Sequence, residues 1–111
     1  MSGGPDIVQG QLEAYNAQDL DAFCTFYAPD AVLAAYGSEP HTVGLDAIRE
    51  RHRGLFVQFP QNKAELLNRI VVGSNVIDHE RVLRAPGGET FEVSPIYTLA
   101  GDKIVRVDFV R

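Results

Sequence analysis

His52 and His79 are the side chains of this 111-residue chain best suited to move a proton near neutral pH. His52 stands four residues from both Ile48 and Phe56. On a helix it shares their apolar stripe and turns away from Arg49, Glu50, Arg51 and Arg53. His79 lies in Val76-Ile77-Asp78-His79-Glu80-Arg81-Val82, which reads as a strand. Alternation puts Val76, Asp78, Glu80 and Val82 on one face and Ile77, His79, Arg81 and Leu83 on the other. A neutral imidazole is easier to desolvate than a carboxylate. His79 is therefore expected inward, with Asp78 and Glu80 solvated or paired to Arg69 or Arg106. Tyr15 offers a hydroxyl that could meet a ligand. Asn68 and Arg69 are neighbours on a strand, so only one of them can face a pocket; Asn68 is expected there, and Arg69 outside, paired with Glu80 or Asp78. Tyr97, between Ile96 and Thr98, is expected to be structural.

Other chemistries lack their residues. His41, His52 and His79 fall on a loop, a helix and a strand, without the close spacing of zinc motifs, so no metal is expected. The single cysteine, Cys24, excludes an internal disulfide and is expected to pack as a small core hydrophobe. No glycine-rich phosphate loop follows a strand, and no Gly-x-Ser-x-Gly elbow is present. A net charge of −5 argues against a nucleic-acid partner. No apolar run reaches the length of a membrane span. The opening Met1-Ser2-Gly3-Gly4-Pro5 lacks the basic and apolar parts of a signal peptide, so a cytoplasmic location is expected.

The elements that must position these groups follow from periodicity and punctuation. Residues 1–4 are expected to be disordered, and Pro5 suits the first turn of a helix whose buried stripe is Ile7, Val8, Leu12 and Tyr15. Asp19 is a good N-cap for a second helix with Leu20, Phe23 and Tyr27 inward, ended by Pro29. A short strand is expected over 31–36 and a loop over 37–41. A third helix should run over about 45–59, with Ile48, Leu55, Phe56 and Phe59 apolar and Pro60 as its stop. Strands over 63–72, 76–85, 89–99 and 103–111, joined by turns rich in Gly, Pro and Asn, make an antiparallel meander. Helices first and sheet afterwards give an α+β fold in a single domain, 1–111. On the last strand Val105, Val107 and Phe109 form a wholly apolar face expected to line the interior. Ile104, Arg106, Asp108 and Val110 form an outer face suited to a homodimer interface.

The segment Tyr15-Asn16-Ala17-Gln18-Asp19-Leu20-Asp21-Ala22-Phe23, followed by Phe26-Tyr27-Ala28-Pro29-Asp30-Ala31-Val32, resembles the start of a SnoaL-like or ketosteroid-isomerase-like domain of the NTF2-like superfamily. The segments Val76 to Val82 and Gly101-Asp102-Lys103-Ile104-Val105-Arg106-Val107 fit the same family. The resemblance covers nearly the whole chain. It implies a cone: a curved antiparallel sheet wrapped around three helices, enclosing an apolar pocket for a small apolar molecule. It also implies cofactor-free proton transfer, as in isomerases, cyclases or dehydratases. The isomerase groups do not carry over. By the same resemblance the base position falls on Ala35 or Ala34, the oxyanion tyrosine near Gln11 with Tyr15 one turn deeper, and the oxyanion acid near Ser94. His52 falls where those isomerases carry a supporting tyrosine. Two roles remain open. In one the protein is an enzyme using His52, His79 and Tyr15 in a pocket walled by Gln11, Ala35, Phe56, Asn68, Val105, Val107 and Phe109. In the other it is a non-catalytic ligand-binding or dimerisation module that has lost the base.

Overall fold

The computed structural model describes residues 3–111. In chain order the elements are α1 (Gly4–Asn16), α2 (Leu20–Cys24), β1 (Tyr27–Ala35), β2 (Pro40–Val43), α3 (Leu45–Gln58), β3 (Lys63–Val72), β4 (Asn75–Leu83), β5 (Thr90–Ala100) and β6 (Lys103–Val110). Residues 1 and 2 of the expected disordered stretch lie outside the described residues. Gly3 is the N-cap and Gly4 the first residue of α1, with Pro5 in the first turn, where its missing N–H removes no bond. Ile7, Val8, Gln11, Leu12 and Ala14 form the buried stripe of this helix.

Asp19 caps α2 by accepting from the Ala22 amide at 3.1 Å. This helix is shorter than its apolar spacing suggests. Tyr27 leaves it and opens β1, because the chain pairs there with β6: the Ile104 amide donates to the Phe26 carbonyl at 2.9 Å. Pairing between distant segments overrides local helical propensity. Pro29 does not end the helix; it lies within β1, where the β1–β6 register breaks between Tyr27 and Val32 and no ladder donor is required. Residues 40–43, inside and just past the expected loop, form the short edge strand β2 against β1.

The six strands form one sheet in the order β2-β1-β6-β5-β4-β3. The expected meander β3 to β6 is antiparallel throughout, while β1 joins β6 in parallel. Helix α1 packs against β3, β4 and β6, α3 against β1 and β2, and α2 against the other two helices. Between them lies a core in which Val8, Phe23, Leu33, Ile48, Val76, Ile104 and Val107 are completely buried. No described helix is long and apolar enough to cross a membrane.

Two β-bulges decide which side chains reach the interior. On β6, Thr98 pairs with Arg106 and Leu99 with Ile104, so Val105 is an extra residue. Ile104, expected outside, is therefore fully buried, and so is Val107 beyond the bulge. On β3, Leu66 pairs with Glu80 and Asn68 with His79, leaving Leu67 as the extra residue. Past that bulge the faces exchange. Arg69 turns inward and Asn68 outward, the reverse of the expected assignment.

Candidate active site

Between the helices and the inner sheet face is a cavity of about 630 Å³. The residues that give it chemistry come from four elements: Gln11 and Tyr15 on α1, His52 on α3, Glu80 on β4 and Tyr97 on β5, with Tyr27 on β1 completing the wall.

Strand β4 supplies the central group. Val76, Asp78, Glu80 and Val82 all face inward, at 1%, 0%, 6% and 4% exposure. The two carboxylates are accommodated differently. Asp78 is held by Arg69, whose Nε and Nη2 donate to its two oxygens at 2.7 and 2.9 Å. Arg69 also donates to Gln9 at 3.0 Å. Glu80 has no cation at hydrogen-bond distance, and its Oε2 is buried with no partner among the described residues. Loss of hydration, reinforced by the negative charge of Asp78 and only partly offset by Arg69, pushes the Glu80 carboxyl up to about 7.

A relay of neutral groups is completed by Gln11. Its Nε2 donates to the Tyr97 hydroxyl at 2.9 Å, and its Oε1 accepts from the Tyr27 hydroxyl at 3.1 Å. The amide thereby fixes both phenols. The Tyr97 oxygen is used as an acceptor, which leaves its own proton free to donate. Burial raises both phenols well above their ordinary value, and the Glu80 charge adds to it, so both stay protonated.

His52 sits in an aromatic cage. Its ring lies 4.4 Å from Phe23, 6.1 Å from Phe56 and 6.2 Å from Tyr15, centroid to centroid. Nδ1 donates to the Ile48 carbonyl at 2.8 Å, one turn back on α3. Burial pulls the ring down to about 4, with the field of Arg51 acting the same way. A neutral ring donating through Nδ1 presents Nε2 as an acceptor. At another part of the wall Asn62 donates to the Tyr15 hydroxyl at 2.7 Å, and Arg84 donates to Asn62 Oδ1 at 2.8 Å.

Of the residues expected at the site, His52, Tyr15, Gln11, Ala35 and Phe109 line the cavity. Phe56 stands behind the wall, buried against Tyr15 at 5.7 Å between ring centroids. Val107 is within the solid core, and Val105 packs against that core from the bulge. His79 does not belong to the site. It is on the outer sheet face, half exposed, and its Nε2 contacts Glu92. Asn68 is outside too, accepting from the Arg69 amide. Ser94, near which the resemblance puts the isomerase oxyanion acid, donates to the Asp78 carbonyl at 2.7 Å and lies off the cavity wall. Glu80, expected to be solvated or salt-bridged, and Tyr97, expected to be structural, are polar groups of the cavity wall, as are Arg51, Arg84 and Arg111. The signal for Glu80 was its sharing a face with Val76 and Val82.

A curved sheet wrapped on three helices around such a cavity defines an NTF2-like, ketosteroid-isomerase-like cone. Residues 8–107 match the SnoaL-like domain, and the chain belongs to that family. A crystallised protein from Novosphingobium aromaticivorans, described as an uncharacterized cystatin-fold protein, is 32% identical over 100% of both chains with a TM-score of 0.93. A putative polyketide cyclase from Sinorhizobium meliloti is 27% identical, covering 96% of this chain and 94% of its own, with a TM-score of 0.81. A ketosteroid-isomerase-like protein from Catenulispora acidiphila, crystallised with trimethylamine, shares the fold at 14% identity and a TM-score of 0.81 over 96% of this chain and 85% of its own. No curated protein matches this chain.

Proposed function

We propose that this SnoaL-like protein binds a small, largely apolar carbonyl compound and moves a proton within it, with Glu80 as the acid and base. The carrying observation is the buried, unpartnered Oε2 of Glu80 at the cavity wall. A carboxyl near 7 serves as base when ionised and as acid when protonated, with little cost in either direction at neutral pH. Glu80 would take a proton from the carbon beside the carbonyl, and the free Tyr97 proton would bond the oxygen that becomes negative. Returning the proton to a second carbon gives isomerisation. Delivering it to a departing hydroxyl gives dehydration after an intramolecular aldol closure, and the likeness to a putative polyketide cyclase supports that branch. His52 supplies an acceptor at Nε2 that orients a ligand hydroxyl. No step requires a cofactor. The same reading places the protein in the cytoplasm, in keeping with its one buried cysteine, as a homodimer paired through the outer sheet face.

The test is hydrogen exchange at carbon. With 2-tetralone in deuterated buffer, the wild-type protein should speed deuterium uptake beside the carbonyl, with a rate inflection near pH 7. Glu80→Gln should slow it by about 100-fold or more and remove the inflection. Equal rates in the two proteins would refute the assignment. One observation favours a binding module instead: Ala35 lines the cavity, and the alanine at 35 or 34, where the resemblance puts the isomerase base, cannot take a proton. On that reading ligands raise the melting temperature by mass action while carbon exchange stays at the buffer rate.

A further inference from the structure

The chain has a net charge of −5, yet its cavity wall is cationic. Five of its arginines, Arg49, Arg53, Arg69, Arg81 and Arg106, each contact a carboxylate. The remaining three, Arg51, Arg84 and Arg111, contact none among the described residues, and all three line the cavity. Among the described residues the only side-chain carboxylate at the wall is that of Glu80. The segregation of these three arginines into one concavity sets a local positive field against the sign of the whole molecule.

The geometry of Arg84 sharpens this. Its guanidinium is 5.0 Å from the centre of the Phe91 ring and 5.7 Å from that of Phe59. Arg111 is 4.4 Å from the same Phe91 ring. Two guanidinium groups are thus set against one aromatic ring. The hydrogen bonds Arg84 makes to Asn62 and Tyr15 both use Nη1, which leaves the Nε and Nη2 edge of the fork for a planar oxyanion. Burial lowers both His41 and His52, and the field of Arg51 adds to it in each case.

From these placements we infer that the cavity recognises an aromatic or polycyclic carboxylic acid, its carboxylate held at the arginine side and its rings against the aromatic wall toward Glu80. A carboxylate fits the planar fork, and the apolar wall wants a ring rather than a sugar or nucleotide. Arg84 stands four residues beyond Glu80, roughly 13 Å along an extended chain, so an anchored acid would hold its rings between the two. The inference rests on the proposal that the cavity takes a small molecule, and adds the chemical class.

Binding is measured by titration calorimetry with 2-naphthoate, methyl 2-naphthoate and 2-naphthyl phosphate. The acid should bind about tenfold more tightly than its uncharged ester, and rising salt should weaken the acid alone. Arg51→Gln and Arg84→Gln should each shrink the acid-to-ester ratio while leaving ester affinity unchanged. Arg51 lies outside the Tyr15–Asn62 network, so its variant stays informative if Arg84→Gln melts early. An ester that binds as tightly as the acid overturns the inference and leaves the pocket proposal standing. So does a preference for the acid that persists in both variants. Tighter binding of the phosphate than of the carboxylate overturns the class assigned. Failure of all three ligands to bind overturns the inference together with the reading beneath it.

Discussion

Glu80 and His52 meet the same desolvation by opposite changes of protonation, and this has a thermodynamic signature. Glu80 goes from an ordinary 4.5 to about 7 on folding. Between those values the folded state holds a proton that the unfolded state has released, so stability falls as pH rises through the window. His52 goes from 6.5 to about 4. Between those values the unfolded chain holds the extra proton, so stability falls as pH drops. Each contributes roughly 3 kcal/mol across its window at 1.36 kcal/mol per unit. Where the windows overlap, the two slopes have opposite sign and largely cancel. Removing one group exposes the other. Relative to wild type, Glu80→Gln should gain stability steadily as pH rises from about 4.5 to 7, and His52→Gln should lose it between about 4 and 6.5. Urea denaturation at half-unit pH steps reads both. A difference curve flat with pH for either variant would show that its group does not titrate as described.

At the scale of the element, single extra residues set which groups are buried. The Leu67 bulge turns Arg69 toward Asp78, a carboxylate with no exposed surface. Breaking this pair strands the charge, whereas replacing both members with apolar groups does not. Arg69→Leu should destabilise the protein by about 3–5 kcal/mol, and Arg69→Leu with Asp78→Leu should restore most of that loss. Thermal melts of the two variants check this, and a double variant as unstable as the single would argue that the strand, rather than the pair, is at fault. The same bulges mark the limit of what was legible in the sequence. The helices α1 and α3 and the four meander strands could be placed to within a residue or two, because their periodicity and their Gly, Pro and Asn turns are local signals. The cone followed from family resemblance. His52 could be placed inward because helical spacing allows one stripe. Strand faces could not be carried past Leu67 or Val105, because a bulge is fixed by the partner strand and alternation counted along one strand does not contain it. His79 and Glu80 were exchanged for a related reason. Single-group desolvation favours imidazole, but the cost at Asp78 is met by an arginine on another strand and the cost at Glu80 by protonation.

For the whole molecule the inner and outer faces of the sheet carry different work. The inner face carries Glu80 and closes one side of the cavity. On the outer face Ile70 pairs with Ile77 and Ile77 with Ile96, forming an apolar row across β3, β4 and β5. Ile70 is 52% exposed and the other two are partly exposed. A stable dimer interface requires about 800 Å² per partner, so the row would form its centre, with Asn68, Ser94 and the His79–Glu92 pair at its rim. A lysine in the middle of such a row costs the isolated protomer little, since the position faces water there. Between two copies it sets like charges against each other in a desolvated patch. Ile77→Lys should therefore convert a dimer to a monomer in light scattering coupled to size exclusion, with the melting transition still cooperative and ligand affinity in the cavity unchanged. A wild-type protein that elutes as a monomer, or an Ile77→Lys variant that remains dimeric, would remove the outer sheet face from the assembly and leave its isoleucines as ordinary surface.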